Sequence, residues 1–229
     1  MTTDPVQVRP LQQSSLVTQV TVEIRRSILA GRLHPGQEFS LRAIAAQLGV
    51  SLIPVREALR SLEEQGLVVT RPGRSAMVAP LDATDLAGIY ALRRQIEPDL
   101  AARSCQLLQS PHVEELRRLV DLISDETRGL DGVYESHHEL HLEMLRPAAT
   151  TWDLHILSML WRAAERYVRV AFGGLDDHPH EHARRGHVHG ELVDAFESGD
   201  VDAVRAAVRG HLDANERVAQ RALAGIRRE

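Results

Sequence analysis

The stretch that most constrains this chain runs from Gly31 to Pro80, GRLHPGQEFSLRAIAAQLGVSLIPVREALRSLEEQGLVVTRPGRSAMVAP. Ile44, Ala45 and Leu48 are apolar at helical spacing, so Arg42 to Leu48 reads as a short amphipathic helix that Gly49 stops. Ser51 is a good N-cap for a second helix, and Pro54 falls in its first turn, where a missing N–H costs little. Val55, Leu59 and Leu62 then make one apolar face. Two short helices joined by a tight glycine turn form a helix-turn-helix, whose second helix can enter the DNA major groove. Leu67–Thr70 and Ala76–Ala79 are β-prone runs around Arg71-Pro72-Gly73-Arg74. They predict a two-stranded hairpin with a basic tip, the wing of a winged helix.

Three motifs fix the resemblance of this stretch: GxLxPGxxxS, then LGVSxxPVREAL, then LxxxGLV. They are carried by Gly31, Leu33, Pro35, Gly36 and Ser40, by Leu48–Ser51 with Pro54–Leu59, and by Leu62 with Gly66–Val68. The stretch closely resembles the DNA-binding head of the GntR-family bacterial transcription regulators. The resemblance implies DNA contacts from Arg42, Ser51, Arg56, Gly73 and Arg74. Ser51 has a second possible task, capping the recognition helix. The chain departs from the family where Arg-Thr commonly follows the GVS serine: here stand Leu52 and Ile53. It departs again at Ser75, where Gly is favoured. An Arg bidentate to guanine contributes about 1–3 kcal/mol of base discrimination, so an altered or weaker operator preference is expected.

The charge is divided along the chain. Residues 1–80 hold nine Arg against six Asp and Glu, for a net +3, while residues 81–229 hold eighteen Arg against twenty-six, for −8. The basic part suits a phosphate backbone and the acidic part does not. All 27 basic residues are Arg, and eleven of the 12 His lie after residue 80. No apolar run reaches the roughly 20 residues a membrane span needs, and the polar start MTTDPVQVRP does not read as a signal peptide. The single cysteine, Cys105, excludes an internal disulfide framework and fits a reducing, cytoplasmic setting.

The chain therefore divides into a flexible arm (1–13), a winged helix-turn-helix (14–80) and a second domain (81–229). Leu16–Ala30 carries Leu16, Val20, Ile24 and Ile28 on one stripe and should pack across the helix-turn-helix. Arg25, Arg26 and Arg32 near its open side read either as a solvated face or as extra phosphate contacts. After the boundary at Pro80-Leu81-Asp82, six helices are predicted: Ala83 to about Leu108, Ser110–Gly129, Val133–Leu145, Thr151–Phe172, Pro179–Ser198, and Asp200 to about Ala224. The last begins at an Asp cap and the fifth ends at Gly199. Helices without a strand signal make an all-α bundle, so the fold class is mainly α.

The second domain carries its own motifs. IYALRRQIEPDLAARSC and HGELVDAFESGDVDAVRAAVRGHL resemble the opening and the end of the FCD effector domain found in the FadR subfamily of GntR regulators. The resemblance then covers nearly the whole chain and implies a ligand-binding, dimerising helical domain. In the metal-binding branch of FCD domains, an Asp and a His four residues apart meet two His from later helices. His141, His189 and His211 match the three His positions, and His137 stands where Asp is usual. His138 competes with His137 for that place.

The spacing agrees with the resemblance. Residues i and i+4 share a helix face, so His137 and His141 can both point inward. His189 and His211 sit on consecutive helices whose antiparallel packing can bring them together. Neutral imidazoles suit a divalent transition metal, Zn or Ni above all, with Cu and Fe also open. Four His without a carboxylate leave such a site doubly positive and attractive to an anion. The run His178, His180, His182 and His187 reads as exposed, with one member open as an outer partner of the site.

Arg93 matches an FCD arginine that lines the effector pocket, where a guanidinium can grip a small carboxylate in a bidentate fashion. The competing reading is an ion pair with Glu97, four residues on. Trp152, Trp161 and Tyr167 read as core or dimer-interface aromatics before ligand stackers. The expected function is a ligand-responsive regulator, of repressor type, binding a palindromic double-stranded operator as a homodimer. Two alternatives stand beside it: a metal that is structural or is itself the signal, and a metal-dependent hydrolase. The last has neither a paired carboxylate nor an HExxH motif behind it.

Overall fold

Ser40 and Gly49 delimit the first helix of the helix-turn-helix. Ser40 Oγ accepts from Arg42 N at 3.2 Å, and Gly49 ends the helix at φ 65°, ψ 31°, a left-handed conformation that glycine adopts without penalty. The computed structural model describes residues 16–71, 75–125, 127–172 and 179–226. The arm predicted for residues 1–13 lies outside them. The chain divides into two compact units at Pro80–Leu81.

The first unit begins with α1 (Leu16–Leu29), whose buried stripe is Val20, Ile24 and Ile28. It packs on α3 (Leu52–Glu64), which follows α2 (Leu41–Leu48) across the glycine turn. Val55, Ala58, Leu59 and Leu62 of α3 are buried against it. The wing is a three-stranded antiparallel sheet of β1 (Glu38–Ser40), β2 (Val68–Thr70) and β3 (Ser75–Val78) in the order β1-β3-β2. The sequence predicted only the β2–β3 hairpin. β1 pairs Phe39 with Ala76 and has three residues, too few to display an alternating pattern. The sheet closes the unit's core through Leu67, Val68, Ala76 and Val78.

The second unit has six α-helices among its described residues: α4 (Ala83–Cys105), α5 (Ser110–Ser124), α6 (Leu130–Leu145), α7 (Thr151–Phe172), α8 (Pro179–Glu197) and α9 (Val201–Ile226). Asp82 caps α4, accepting from Thr84 N at 2.7 Å and Asp85 N at 3.2 Å. Asp200 caps α9 in the same way through Asp202 N and Ala203 N. α5 stops at Ser124, short of the expected Gly129. Asp125 leaves the helix at φ −74°, ψ 105°, and its carboxylate accepts from Thr127 N at 2.9 Å, an Asx turn that competes with helix continuation.

α4 lies along α9, α5 packs on both α6 and α8, and α7 packs on α9 and α4. Tyr90, Leu100, Leu116, Ile123, Leu140, Leu157, Phe196 and Leu212 fill the space between them. Arg94 of α4 pairs with Asp213 and Glu216 of α9, and Arg205 of α9 pairs with Asp99 of α4. The two helices that frame the bundle are thus joined along their polar margins as well as through the core. No helix among the described residues is long and apolar enough to cross a membrane.

Candidate functional site

Three helices bring four histidines to one point in the bundle. α6 supplies His137 and His141, one turn apart on the same face; α8 supplies His189, and α9 supplies His211. One ring nitrogen from each lies within 4.8 Å of the others. The closest pair, His137 Nε2 and His141 Nε2, is 3.3 Å apart. Two nitrogens on a tetrahedral Zn²⁺ at about 2.0–2.1 Å stand about 3.4 Å apart, so this pair already has a coordination edge.

The polar surroundings orient these rings. His189 donates from Nδ1 to the Arg185 carbonyl oxygen at 2.6 Å. Its Nε2 is then the lone-pair nitrogen, and it is buried without a hydrogen-bond partner. A buried acceptor left open is costly, which fits a place reserved for a cation. Asn215 Nδ2 lies 2.9 Å from His211 Nε2, and an amide nitrogen only donates, so that ring nitrogen accepts. A cation taking His211 through Nε2 would compete with Asn215 for one lone pair.

All four imidazoles are held neutral. Burial lowers His189 to about 4, although its bond to Arg185 opposes the shift. Burial also pushes His137, His141 and His211 well below 6.5, and His189 and Arg93 push each of the three further in the same direction. Neutral imidazole is the form that binds metal. The donor set therefore fits a divalent transition ion, with the four His as its holders.

His138 separates from His137 in space. It is half-buried and meets the Trp161 ring edge-on, with centroids 5.5 Å apart, while His137 sits among the other histidines at 4.6 Å from His141 and 4.8 Å from His189. Two small cavities flank the cluster and share Tyr134, His137, Val168 and Asn215 in their walls. One is bounded by His189 and His211, the other by His141, Arg93 and Trp161.

Arg93 makes the ion pair that was one of its two sequence readings, and it also borders a cavity. Its side chain lines the second cavity, and it donates from Nε to Glu97 Oε1 at 2.6 Å with both side chains buried. Glu97 Oε1 also accepts from Trp161 Nε1 at 2.8 Å. Trp161 and Tyr167 are core residues, whereas Trp152 is 72% exposed and outside the core. His187 is exposed and sits 3.4 Å from Glu191; the side chains of His178, His180 and His182 lie outside the described residues.

On the reading head, Arg42, Ser51 and Arg56 are all exposed. Ser51 takes the N-cap position of α3 with φ −74°, ψ 168°, but its side chain makes no capping bond. Its hydroxyl is thereby left for another partner. Gly73 and Arg74 lie outside the described residues. Arg26 and Arg32 both turn to Glu23, and Arg25 donates to Gln65, so each has a protein partner on or beside α1.

Comparison with known proteins matches this division. Residues 16–78 match "Bacterial regulatory proteins, gntR family", and residues 88–214 match the FCD domain. An HTH-type transcriptional regulator of Streptomyces ambofaciens is 31% identical over 213 residues, 85% of this chain and 81% of the relative. The chain belongs to the GntR family. It is a GntR-family transcription regulator with an FCD effector domain. The HTH-type transcriptional repressor RspR of Escherichia coli is 27% identical over 193 residues, 82% of each chain. The solved structure titled "E. coli McbR/YncC" superposes with a TM-score of 0.75, covering 91% of this chain and 99% of that one at 20% identity, a likeness of fold. The GntR and FCD domains and the relatives are regulators and not enzymes, so the hydrolase alternative falls away.

Asn215 and the Arg185 carbonyl are the members of the site that the sequence did not single out. Asn215 carried a signal, since it follows His211 by one helical turn. A backbone carbonyl carries none.

Proposed function

We propose that this GntR-family regulator binds a palindromic operator as a homodimer and acts as a repressor released by a small carboxylate. The carboxylate would bind beside a divalent metal, Zn or Ni, held by His137, His141, His189 and His211. The observation that carries this reading is the convergence of four neutral imidazoles, three buried and His137 half-buried, one of them with an open Nε2, beside a cavity bordered by a cation, Arg93. A metal with only neutral ligands keeps its full charge and attracts an anion. In this reading Arg93 orients that anion, and the surrounding burial strengthens both attractions.

Arg42, Arg56 and the Ser51 hydroxyl are the exposed groups proposed to meet DNA, with Gly73 and Arg74 of the wing. A near-palindromic site follows from two identical heads related by a two-fold axis. Relatives described as repressors support the direction of control: the xylose-operon relative of Paenarthrobacter nicotinovorans, named a probable repressor, is 29% identical over 206 residues, covering 89% of this chain and 88% of the relative. An effector that changes the spacing of the heads through a coupling of about 1–3 kcal/mol shifts operator affinity about 5- to 150-fold.

A second reading has one observation in its favour. Arg93 already donates to Glu97 through two nitrogens, which leaves less of its guanidinium for a ligand. In that reading the metal is structural or is itself the signal. A gel-shift titration separates them, using a duplex selected from a random library and protein that is metal-loaded or chelated. Release from DNA by a small carboxylate only in the metal-loaded protein supports the effector pocket. Tighter binding on adding the carboxylate overturns release as the mode of control. A response to metal alone supports the metal as signal, and a fall in melting temperature on chelation with no change in DNA binding supports a structural metal.

A further inference from the structure

We infer that Ile53 reads sequence: its side chain meets the C5 methyl of a thymine in each operator half-site. The inference rests on the DNA-binding reading above and adds a residue and a base to it. The exposed positions of α3 include Ile53, Arg56, Glu57 and Arg60, spaced i, i+3, i+4 and i+7 on the face opposite the buried Val55, Ala58, Leu59 and Leu62. Ile53 is 71% exposed, more than any other large apolar side chain described in this unit.

Leu52, its neighbour, behaves differently. It is half-buried and packs against the core of the reading head. Of the two apolar residues at the start of α3, one is therefore accounted for by folding and the other is not. Ile53 stands among charged side chains, so it forms no apolar patch of the size a protein partner needs. The unit that carries it has a net charge of +3 and exposes Arg42 and Arg56 beside the same helix. The partner chemistry that meets both features is duplex DNA, anionic at its backbone, with one apolar group on its major-groove edge, the thymine methyl. A β-branched side chain also loses little rotamer freedom on contact.

The test begins by selecting binding sites for the full-length protein from a randomised duplex library. Each thymine of the selected site is then replaced, one at a time, by deoxyuridine, which removes the C5 methyl and keeps the pairing. Affinity is read by fluorescence anisotropy for the wild type, Ile53→Ala and Arg56→Ala. One thymine per half-site is expected to weaken wild-type binding about fourfold when replaced, the value of one buried methyl-sized contact. Ile53→Ala should bind the parent and substituted duplexes equally. Arg56→Ala should bind both more weakly and keep the ratio between them. Ile53→Ala is expected to melt with the wild type, since the side chain is exposed.

The inference is overturned if no deoxyuridine substitution weakens the wild type, or if the sensitive one weakens Ile53→Ala by the same factor. If the wild type enriches no sequence at all, the DNA-binding reading fails and takes this inference with it. Enrichment without methyl sensitivity leaves that reading standing and removes Ile53 from it.

Discussion

His189 donates a hydrogen bond from Nδ1 to the Arg185 carbonyl oxygen at 2.6 Å, and that bond decides which nitrogen is left for the centre of the bundle. The remaining Nε2 is buried without a partner. Removing the ring should therefore remove a metal ligand at Nε2 along with the hydrogen bond from Nδ1. Elemental analysis of protein purified without added metal is expected to give close to one divalent ion per wild-type chain. His189→Ala should lose it, and His138→Ala, whose ring lies against Trp161, should keep it. Metal-free wild type, or a His189→Ala variant that keeps its ion, would remove the four-histidine site.

The same histidines make the metal-free protein sensitive to acid. Burial holds His189 at about 4 and the other three well below 6.5, so the unfolded chain takes up protons at a pH where the folded chain does not. Stability is then fully present above about pH 6.5 and declines as the pH falls from there toward the folded values. At about 1.4 kcal/mol per pH unit, His189 alone withdraws about 2 kcal/mol by pH 5. Urea unfolding with a chelator present should show a lower midpoint at pH 5 than at about pH 7.5. An unchanged midpoint would mean that the rings are not held neutral in the folded protein.

The sequence was most informative where one residue settles one local conformation. Gly49, Asp82 and Asp200 each act at a helix end by short-range hydrogen bonding or by backbone freedom, and each stands at the end expected of it, whereas the cap at Ser40 was not foreseen and Ser51 makes no capping bond. His137 and His141 were legible as a pair because a helix has a fixed period. The choice between His137 and His138 was not, because both lie within a turn of His141 and only the packing of α7 places Trp161 beside one of them. β1 was hidden because three residues do not show a pattern. The open Nε2 of His189 was equally hidden, since it depends on a carbonyl that every residue has.

The buried Arg93–Glu97 pair predicts a strong asymmetry between single and double variants. Glu97 receives Arg93 Nε at 2.6 Å and Trp161 Nε1 at 2.8 Å, with both charged side chains almost fully buried. Glu97→Ala leaves a buried guanidinium and an indole N–H without their acceptor, at a cost of about 3–5 kcal/mol. Arg93→Met combined with Glu97→Leu removes both charges and keeps apolar volume, so it should cost less than Glu97→Ala alone. Chemical denaturation of the three proteins checks the order. A double variant less stable than the single would show that the charges stabilise the fold as a pair.

Gly186 predicts how closely α8 must approach α5 for His189 to reach the centre. A Cβ built on Gly186 would lie 1.9 Å from Ser124 Oγ and 2.9 Å from Ser124 Cβ, so any side chain there must separate the two helices or displace the serine. His189 is three residues further along α8, and a shift of that helix moves its ring away from His137, now at a centroid distance of 4.8 Å. Gly186→Ala should destabilise the protein by about 1–3 kcal/mol, as overpacking does elsewhere, and should lower its metal content. Adding Ser124→Gly removes both clashing atoms and should restore the metal more fully than it restores stability, because the new glycine weakens the end of α5. Thermal melts and elemental analysis on the single and double variants test this. A Gly186→Ala protein with wild-type melting temperature and metal content would mean that α5 and α8 can part without disturbing the histidines.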